Sequence, residues 1–253
     1  MADESLDHMK VSLDAPQPLH AQIRDVMRQR VLDGIYAPHE RLPSESALMK
    51  AFGVSRITIR NALKDLHAEG LIFSAQGKGT YVRKQKAVQN VQRLQGFEEA
   101  MSARGYRVSA ELIGFGERTP PPAVAQAFGL APGETVVEVK RVRHLNGEPI
   151  SIDLSYFPRD VGARLFGRDL THDIFTLLED ELNLPLGGAD IAIEAGAADE
   201  DTARLLRIRK GEPVLHVERL TFDATGRPID FEYLAYRGDK YQYQFHVDRR
   251  RPD

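Results

Sequence analysis

Three short segments constrain this chain more than its composition does: Leu42-Pro43-Ser44-Glu45, Gly53-Val54-Ser55-Arg56-Ile57-Thr58-Ile59-Arg60 and Gly77-Lys78-Gly79-Thr80-Tyr81. Ser44 and Ser55 stand where helix N-caps belong, each ahead of an apolar pattern of helical period. Glu45 falls in a first turn, beside the positive end of the helix dipole. The helix after Ser55 has a stripe of Ile59, Ala62, Leu63 and Leu66, at i, i+3, i+4 and i+7, and Gly70 closes it. An earlier helix opens at Pro18-Leu19, carries Ile23, Val26, Met27 and Val31 at helical spacing, and ends at Gly34. Residues 71–73 and 80–82 read as strands joined across a glycine-rich tip at 76–79. Three helices followed by such a hairpin make a winged helix-turn-helix.

The side of the third helix opposite its stripe carries Arg56, Ile57, Arg60, Asn61 and Lys64. A recognition helix enters the major groove with its N-terminal turn near the base edges. Arginine there can grip guanine in bidentate fashion, while lysine and serine bind phosphate. Ile57 is apolar on the wrong face for a core, and a thymine methyl would explain it. Lys78 adds charge to a tip whose glycines let the backbone approach DNA closely. The net charge of -3 conceals a local excess: between Arg41 and Lys86, nine cations against three acids leave +6, and the remainder carries -9. A solvated charged helix face is the plainer reading of the arginines alone. The coincidence of both caps, the turn glycine and the wing outweighs it.

The length of 253 residues suits one large domain or two modest ones. With no cysteine, disulfides and thiolate chemistry are excluded. No apolar run reaches membrane-spanning length and the N-terminus lacks a signal-peptide core, so a cytoplasmic protein with no membrane partner is expected. The eight histidines lack zinc-site spacing and no serine sits in a nucleophile elbow. No catalytic residue, metal or cofactor is assigned.

Residues 18–83 resemble the DNA-binding domain of GntR-type bacterial transcription regulators. The resemblance rests on Leu42-Pro43-Ser44-Glu45, Phe52-Gly53-Val54-Ser55-Arg56, Thr58-Ile59-Arg60, Glu69-Gly70-Leu71-Ile72 and Gly77-Lys78-Gly79-Thr80-Tyr81-Val82. It implies DNA contacts from Arg41, Ser44, Ser55, Arg56, Thr58, Arg60 and Gly79, to which Lys64, Lys78 and Thr80 are added as candidates. Ser46 departs from the arginine usual in that family, so an altered contact is expected there. The domain is set at residues 14–83. A homodimer on a palindromic double-stranded operator is expected, because one helix buries too little surface for tight specific binding.

Residues 84–93 are polar and read as a linker to a second domain at 94–248. Within it, Leu130-Ala131-Pro132-Gly133-Glu134-Thr135-Val136-Val137 is echoed by Ile208-Arg209-Lys210-Gly211-Glu212-Pro213-Val214-Leu215. Each copy follows a short helix and continues into a strand, a turn (Asn146-Gly147, Thr225-Gly226), Pro-Ile and a second strand. The duplicated unit predicts one α+β domain with pseudo-twofold symmetry about an antiparallel sheet. This region resembles the UTRA effector domain of the HutC branch of GntR regulators, a fold shared with chorismate lyase. The resemblance rests on Leu94-Gln95-Gly96-Phe97-Glu98, Lys140-Arg141-Val142-Arg143, Asn146-Gly147-Glu148-Pro149 and Tyr236-Arg237-Gly238-Asp239-Lys240-Tyr241.

Strand alternation sets Arg141 and Arg143 beside Val137 and Val139 on one face. They are either structural ion pairs or a fork for an anionic small molecule. Asp230, Glu232, Leu234 and Tyr236 share a face of the second repeat's outer strand. The resemblance aligns Asp230 and Tyr236 with effector-binding positions; Asp153, Ser155 and Tyr156 come from the equivalent strand of the first repeat, and Phe97, Glu98, Asp173 and Phe175 would close the pocket. Relatives that sense sugar phosphates tend to carry Ser or Thr at Glu98 and Asp173. Carboxylates there would repel phosphate, so the effector expected is a small anionic or amphoteric metabolite, the amphoteric kind fitting better, with urocanate-like or amino-acid-derived molecules as examples. The function implied is a regulator, more readily a repressor, with a chorismate-lyase-like enzyme fused to a DNA-binding module as the alternative.

Overall fold

Two serine caps set the frame of the N-terminal unit. Ser44 Oγ accepts from the Ala47 amide at 3.2 Å to start α2 (Glu45–Phe52), and Ser55 Oγ accepts from Thr58 at 3.3 Å to start α3 (Arg56–Ala68). The computed structural model describes residues 11–12, 15–75, 78–83, 86–90 and 93–247, in two units, Met1–Gln85 and Lys86–Asp253. In the first, α1 (Leu19–Leu32) packs on α3, and Arg28 Nε donates to Glu69 at 2.8 Å. Ile23, Met27, Leu48, Ile59, Leu66 and Ile72 form its core. The expected stripe of α3 is buried at Ile59, Ala62 and Leu66, with Leu63 half-buried. The wing is β1 (Ile72–Ala75) antiparallel to β2 (Gly79–Val82). Residues 76 and 77 of its tip lie outside the described residues.

The reading of 84–93 as linker needs correction. Residues 87–90 form β3 (Ala87–Asn90), which pairs in parallel with β10 (Tyr241–Gln244) of the second unit. Ala87 and Gln89 are buried there, with the Tyr241 hydroxyl donating to the Gln89 side-chain oxygen. Polar composition hid this strand, because half of its inward face is a glutamine whose amide is satisfied by a tyrosine. Residues 84, 85, 91 and 92 lie outside the described residues.

The repeat builds a six-stranded antiparallel sheet. Its strands are β4 (Val108–Arg118), β5 (Val136–Leu145), β6 (Glu148–Pro158), β7 (Leu186–Ala197), β8 (Pro213–Asp223) and β9 (Pro228–Arg237), ordered β4-β5-β6-β9-β8-β7. The pseudo-twofold axis therefore runs between β6 and β9. The second repeat's last strand, expected at an outer position, is central. Each repeat also has an edge strand not expected from sequence, β4 and β7, whose mostly exposed residues follow no clean alternation. Asn146 and Gly147, both at positive φ, make the tight β5–β6 turn.

Helices cover both faces. On the back, α5 (Pro122–Phe128) and α8 (Glu200–Leu206) pack with Val136, Tyr156, Phe231, Val142, Ile152 and Val214. On the front lie α4 (Phe97–Ser102), α6 (Arg159–Gly162), α7 (Ile174–Thr176) and a wider helical turn at Leu177–Glu181, over Val139, Phe157 and Leu234. Tyr156 thus belongs to the back core, away from Asp153 and Ser155. Among the described residues no helix is long and apolar enough to cross a membrane.

Candidate functional site

The capped start of α3 leaves Arg56, Ile57, Arg60 and Lys64 exposed on one side, with Ile57 at 65% exposure. The hydroxyls of Ser55 and Thr58 bond each other at 2.9 Å, as do those of Ser44 and Ser46. Arg60 Nε lies 3.3 Å from Glu45 Oε1, which ties α3 to α2. Arg41 forms an isolated bridge with Tyr81, and its guanidinium lies against Gly79. At Gly79, where φ is +117°, a Cβ would come within 2.7 Å of Arg41 Nε. The backbone conformation calls for glycine there, and a side chain would also have to displace the arginine. Lys78 is exposed; Thr80 is half-buried in β2. The ten sequence candidates thus fall on the α2 and α3 N-termini, Lys64 farther along α3, Arg41, and the wing.

In the second unit, register builds a polar patch inside an apolar face. Arg141 lies opposite Asp153, Arg143 opposite Ser151, and Ser155 opposite Glu232. Arg219 lies opposite Glu232 and Thr221 opposite Asp230. All of these side chains are buried. Arg141 Nη2 reaches Asp153 Oδ2 at 3.4 Å and Arg143 Nε bonds the same oxygen more closely. Arg219 pairs with Glu232. Arg141 Nη1 also donates to the carbonyls of Leu170 (3.1 Å) and His172 (2.9 Å), holding the segment ahead of α7. Arg141 and Arg143 are thus both ion-paired with Asp153, yet Arg141 Nε and Arg143 Nη1 have no protein acceptor.

Aromatic rings complete the cover. Phe97 lies 4.9 Å from the Arg143 guanidinium and Phe175 lies 4.7 Å from that of Arg219. Tyr236 stacks on Tyr241 at 4.0 Å and tilts against Phe97. A narrow cleft of only about 10 Å³ is lined by Phe97, Glu98, Val108, Ala110, Arg141, Arg143, Thr171, His172 and Asp173. Five sequence candidates meet at it: Phe97, Glu98, Arg141, Arg143 and Asp173. Asp153 lies behind the arginines; Ser155, Phe175, Asp230 and Tyr236 share the sheet face or its cover without lining the cleft.

Asp173 differs from its expected part. Its Oδ1 accepts from the Phe175 amide at 3.0 Å, and its Oδ2 from Glu98 at 3.0 Å and Glu99 at 3.4 Å. It caps α7 and closes the start of α4 at once. A Cβ at Gly96 would meet Asp173 Oδ2 at 2.0 Å, so only glycine admits this carboxylate. Its oxygens are spent on backbone amides.

Burial sets the electrostatics. Burial lowers the Arg141 pKa, reinforced by Arg143. Burial works the same way on Arg143, but the carboxylates around it, Asp153 first, leave it raised. Burial opposes ionisation of Glu232, and the Arg219 charge and hydrogen bond more than offset it, so its pKa is lowered. Burial and then Glu232 push Asp230 well above the usual carboxylate range. Sequence reading missed Arg219 and Thr221. The repeat carried the signal for Arg219: aligning the echoed segments matches Arg141 with Arg219, and Asp153 with Glu232.

Comparison with known proteins accounts for both halves. Residues 19–82 match the family described as bacterial regulatory proteins, gntR family, and residues 103–242 match the UTRA domain. The chain is 31% identical to the HTH-type transcriptional repressor NagR of Bacillus subtilis, across 95% of this chain and 99% of NagR. It is 30% identical to a histidine utilization repressor of Pseudomonas aeruginosa, across 91% and 92%. The solved structure of the possible regulator YydK from B. subtilis superposes with a TM-score of 0.58 at 26% identity, covering 92% of this chain and all of that one. PhnF from Mycobacterium smegmatis shares the fold, with a TM-score of 0.68 at 22% identity over 89% and 99%. The chain belongs to the gntR family of bacterial regulatory proteins, in its UTRA-bearing HutC branch, and is a DNA-binding transcriptional regulator under small-molecule control.

Proposed function

We propose that this regulator is a cytoplasmic repressor that binds a palindromic operator as a homodimer and releases it when a small metabolite enters the UTRA domain. Its DNA-binding domain is residues 14–83, and its effector domain starts at Lys86. DNA is met by the first turn of α3 and by the wing, with Arg56 and Arg60 at base edges and Arg41, Lys64 and Lys78 at phosphates. The metabolite's anionic group meets Arg141 and Arg143. The observation that carries this is the buried arginine pair: two guanidiniums that line the cleft share the single carboxylate of Asp153, and each keeps one nitrogen that no protein atom accepts from. Relatives named as repressors support the sign of control. An enzymatic use of the same face is disfavoured, because Asp153 and Glu232 are both engaged by arginines and unsuited to proton transfer.

The test begins with selection of duplexes from a random pool. A palindromic consensus is expected, with dimeric protein in sizing and scattering. Arg56→Ala is expected to weaken the selected duplex by about 1–3 kcal/mol without changing metabolite binding. Arg143→Gln should do the reverse. Arg143 is the cleaner choice, since Arg141 also holds the Leu170 and His172 carbonyls. A monomer that grips one half-site tightly would contradict the dimer, and recovery of no consensus would contradict the whole reading.

A further inference from the structure

Acids are scarce where the DNA-binding unit concentrates its positive charge. Between Arg41 and Lys86 there are three: Glu45, Asp65 and Glu69. Glu69 is held by Arg24 and Arg28 of α1. Asp65 lies near the C-terminal end of α3, away from the turn that enters the groove. Glu45 is different. It opens α2, its side chain is partly exposed, and its Oε1 lies 3.3 Å from Nε of Arg60 on the outward side of α3. No other cation of α2 stands near it in sequence, since the helix has a single basic residue, Lys50, in its last turn. Arg56, one turn earlier on the same side of α3, has no ion-pair partner among the described residues. A carboxylate on a surface that meets phosphates weakens binding by like-charge repulsion. Its first-turn position stabilises α2 through the helix dipole, but that needs no contact with Arg60.

We infer that Glu45 is a positioning residue for operator recognition: it holds Arg60 toward one G·C base pair and cancels the charge that would otherwise let this arginine settle on any phosphate. This inference rests on the reading above that Arg60 stands at a base edge. The tether engages Nε and leaves both terminal nitrogens of the guanidinium, whose N–H groups can fork to N7 and O6 of guanine. An arginine already held in place loses less side-chain freedom when it makes that contact. The paired arginine also brings no net charge to the duplex. It therefore displaces few counterions and adds little to binding of arbitrary sequence, which is driven by phosphate neutralisation. Specificity is a difference of affinities, so weakening the wrong complex counts as much as strengthening the right one. The two outward arginines thus divide their work: Arg56 brings charge and contact together, and Arg60 brings discrimination.

The test uses the full-length protein with the duplex selected from the random pool, its single-base-pair variants and a scrambled duplex, titrated by fluorescence anisotropy at several salt concentrations. Arg60→Ala first identifies the base pair that Arg60 reads, as the position whose preference collapses. Glu45→Gln is expected to lower the preference at that same pair by about 2–5-fold, the size of one surface ion pair. It should also bind the scrambled duplex more tightly and steepen the log–log salt slope by about 0.9 per subunit, as a freed arginine reaches phosphate. Glu45→Asp keeps the charge at the start of α2 but is one methylene too short for Arg60. It should lose the preference without gaining affinity for the scrambled duplex, which separates the tether from the dipole effect. In an Arg60→Ala background, Glu45→Gln should move no base preference. Melting temperatures verify that each variant is folded. Unchanged preference in folded Glu45→Gln and Glu45→Asp overturns the inference and leaves Arg60 as a base reader. A preference that still responds to Glu45→Gln when Arg60 is gone also overturns it, because the carboxylate would then meet a cytosine amino group itself. If Arg60→Ala shifts no base preference, the placing of Arg60 at a base edge fails, and this inference with it.

Discussion

At the scale of the residue, two side chains are exposed or buried against their own chemistry. Ile57 stands 65% exposed between Arg56 and Thr58 at the start of α3. An aliphatic group in that place gains only if its partner is apolar, and the thymine methyl is the apolar feature of the major groove. Replacing each thymine of a selected half-site by deoxyuridine should therefore reveal one position where loss of the methyl weakens binding several-fold. Ile57→Ser should erase that dependence; equal dependence in the variant would refute the contact. Asp230 is the converse case. Its pKa is raised, first by burial and then by Glu232, against the pull of Arg219, Arg141 and Arg143. For a carboxyl raised on folding, the stabilising contribution is complete below the unfolded value of about 3.9 and is lost as pH rises through the folded value. Asp230→Asn, which removes a buried carboxyl with no hydrogen-bond partner, should accordingly change Tm little near pH 4 and raise it increasingly toward neutrality. A constant difference across that range would show that Asp230 does not titrate as described.

At the scale of the element, Asp173 is the joint of the front cover, since one carboxylate receives amides from α7 and from the start of α4. Asp173→Ala removes a cap and strands amides of two helices, which should cost about 1–3 kcal/mol in thermal unfolding. Gly96→Ala should do comparable damage by driving a methyl into the same carboxylate. If either variant unfolds like wild type, the joint is not what holds the cover. Helix caps were legible because they are local: Ser44 and Ser55 precede their helices by one residue. Asp173 meets Glu98 across 75 positions of sequence, so no local pattern announced it. The edge strands β4 and β7 were illegible for another reason. Strand alternation is a record of burial on one face, and edges exposed on both faces keep no such record.

At the scale of the molecule, charge and function are divided. The positive excess lies between Arg41 and Lys86, and the remainder of the chain is acidic. Operator affinity should fall steeply with salt, as phosphate neutralisation demands, while metabolite affinity, set by buried groups, should fall little. Parallel salt dependences would place the metabolite at the surface instead. The second unit has its own cores and its own sheet, so residues 86–253 expressed alone should unfold in one cooperative transition, bind the metabolite and ignore DNA. Starting the fragment at residue 94 should destabilise it, because β3 and the Gln89–Tyr241 bond would be lost.

By itself the sequence determined what is written in neighbouring residues and in repetition. The serine caps, the helical stripes, the wing and the duplicated strand–turn–strand unit each depend on interactions over a few positions, or on a pattern that occurs twice. Only the tertiary structure decided the rest: β9 at the centre beside β6, β3 joined to β10, Asp173 spent on amides, and Asp230 left without a partner. These depend on which distant strands become neighbours, and a side chain's partners are known only when every group that could reach it has been placed.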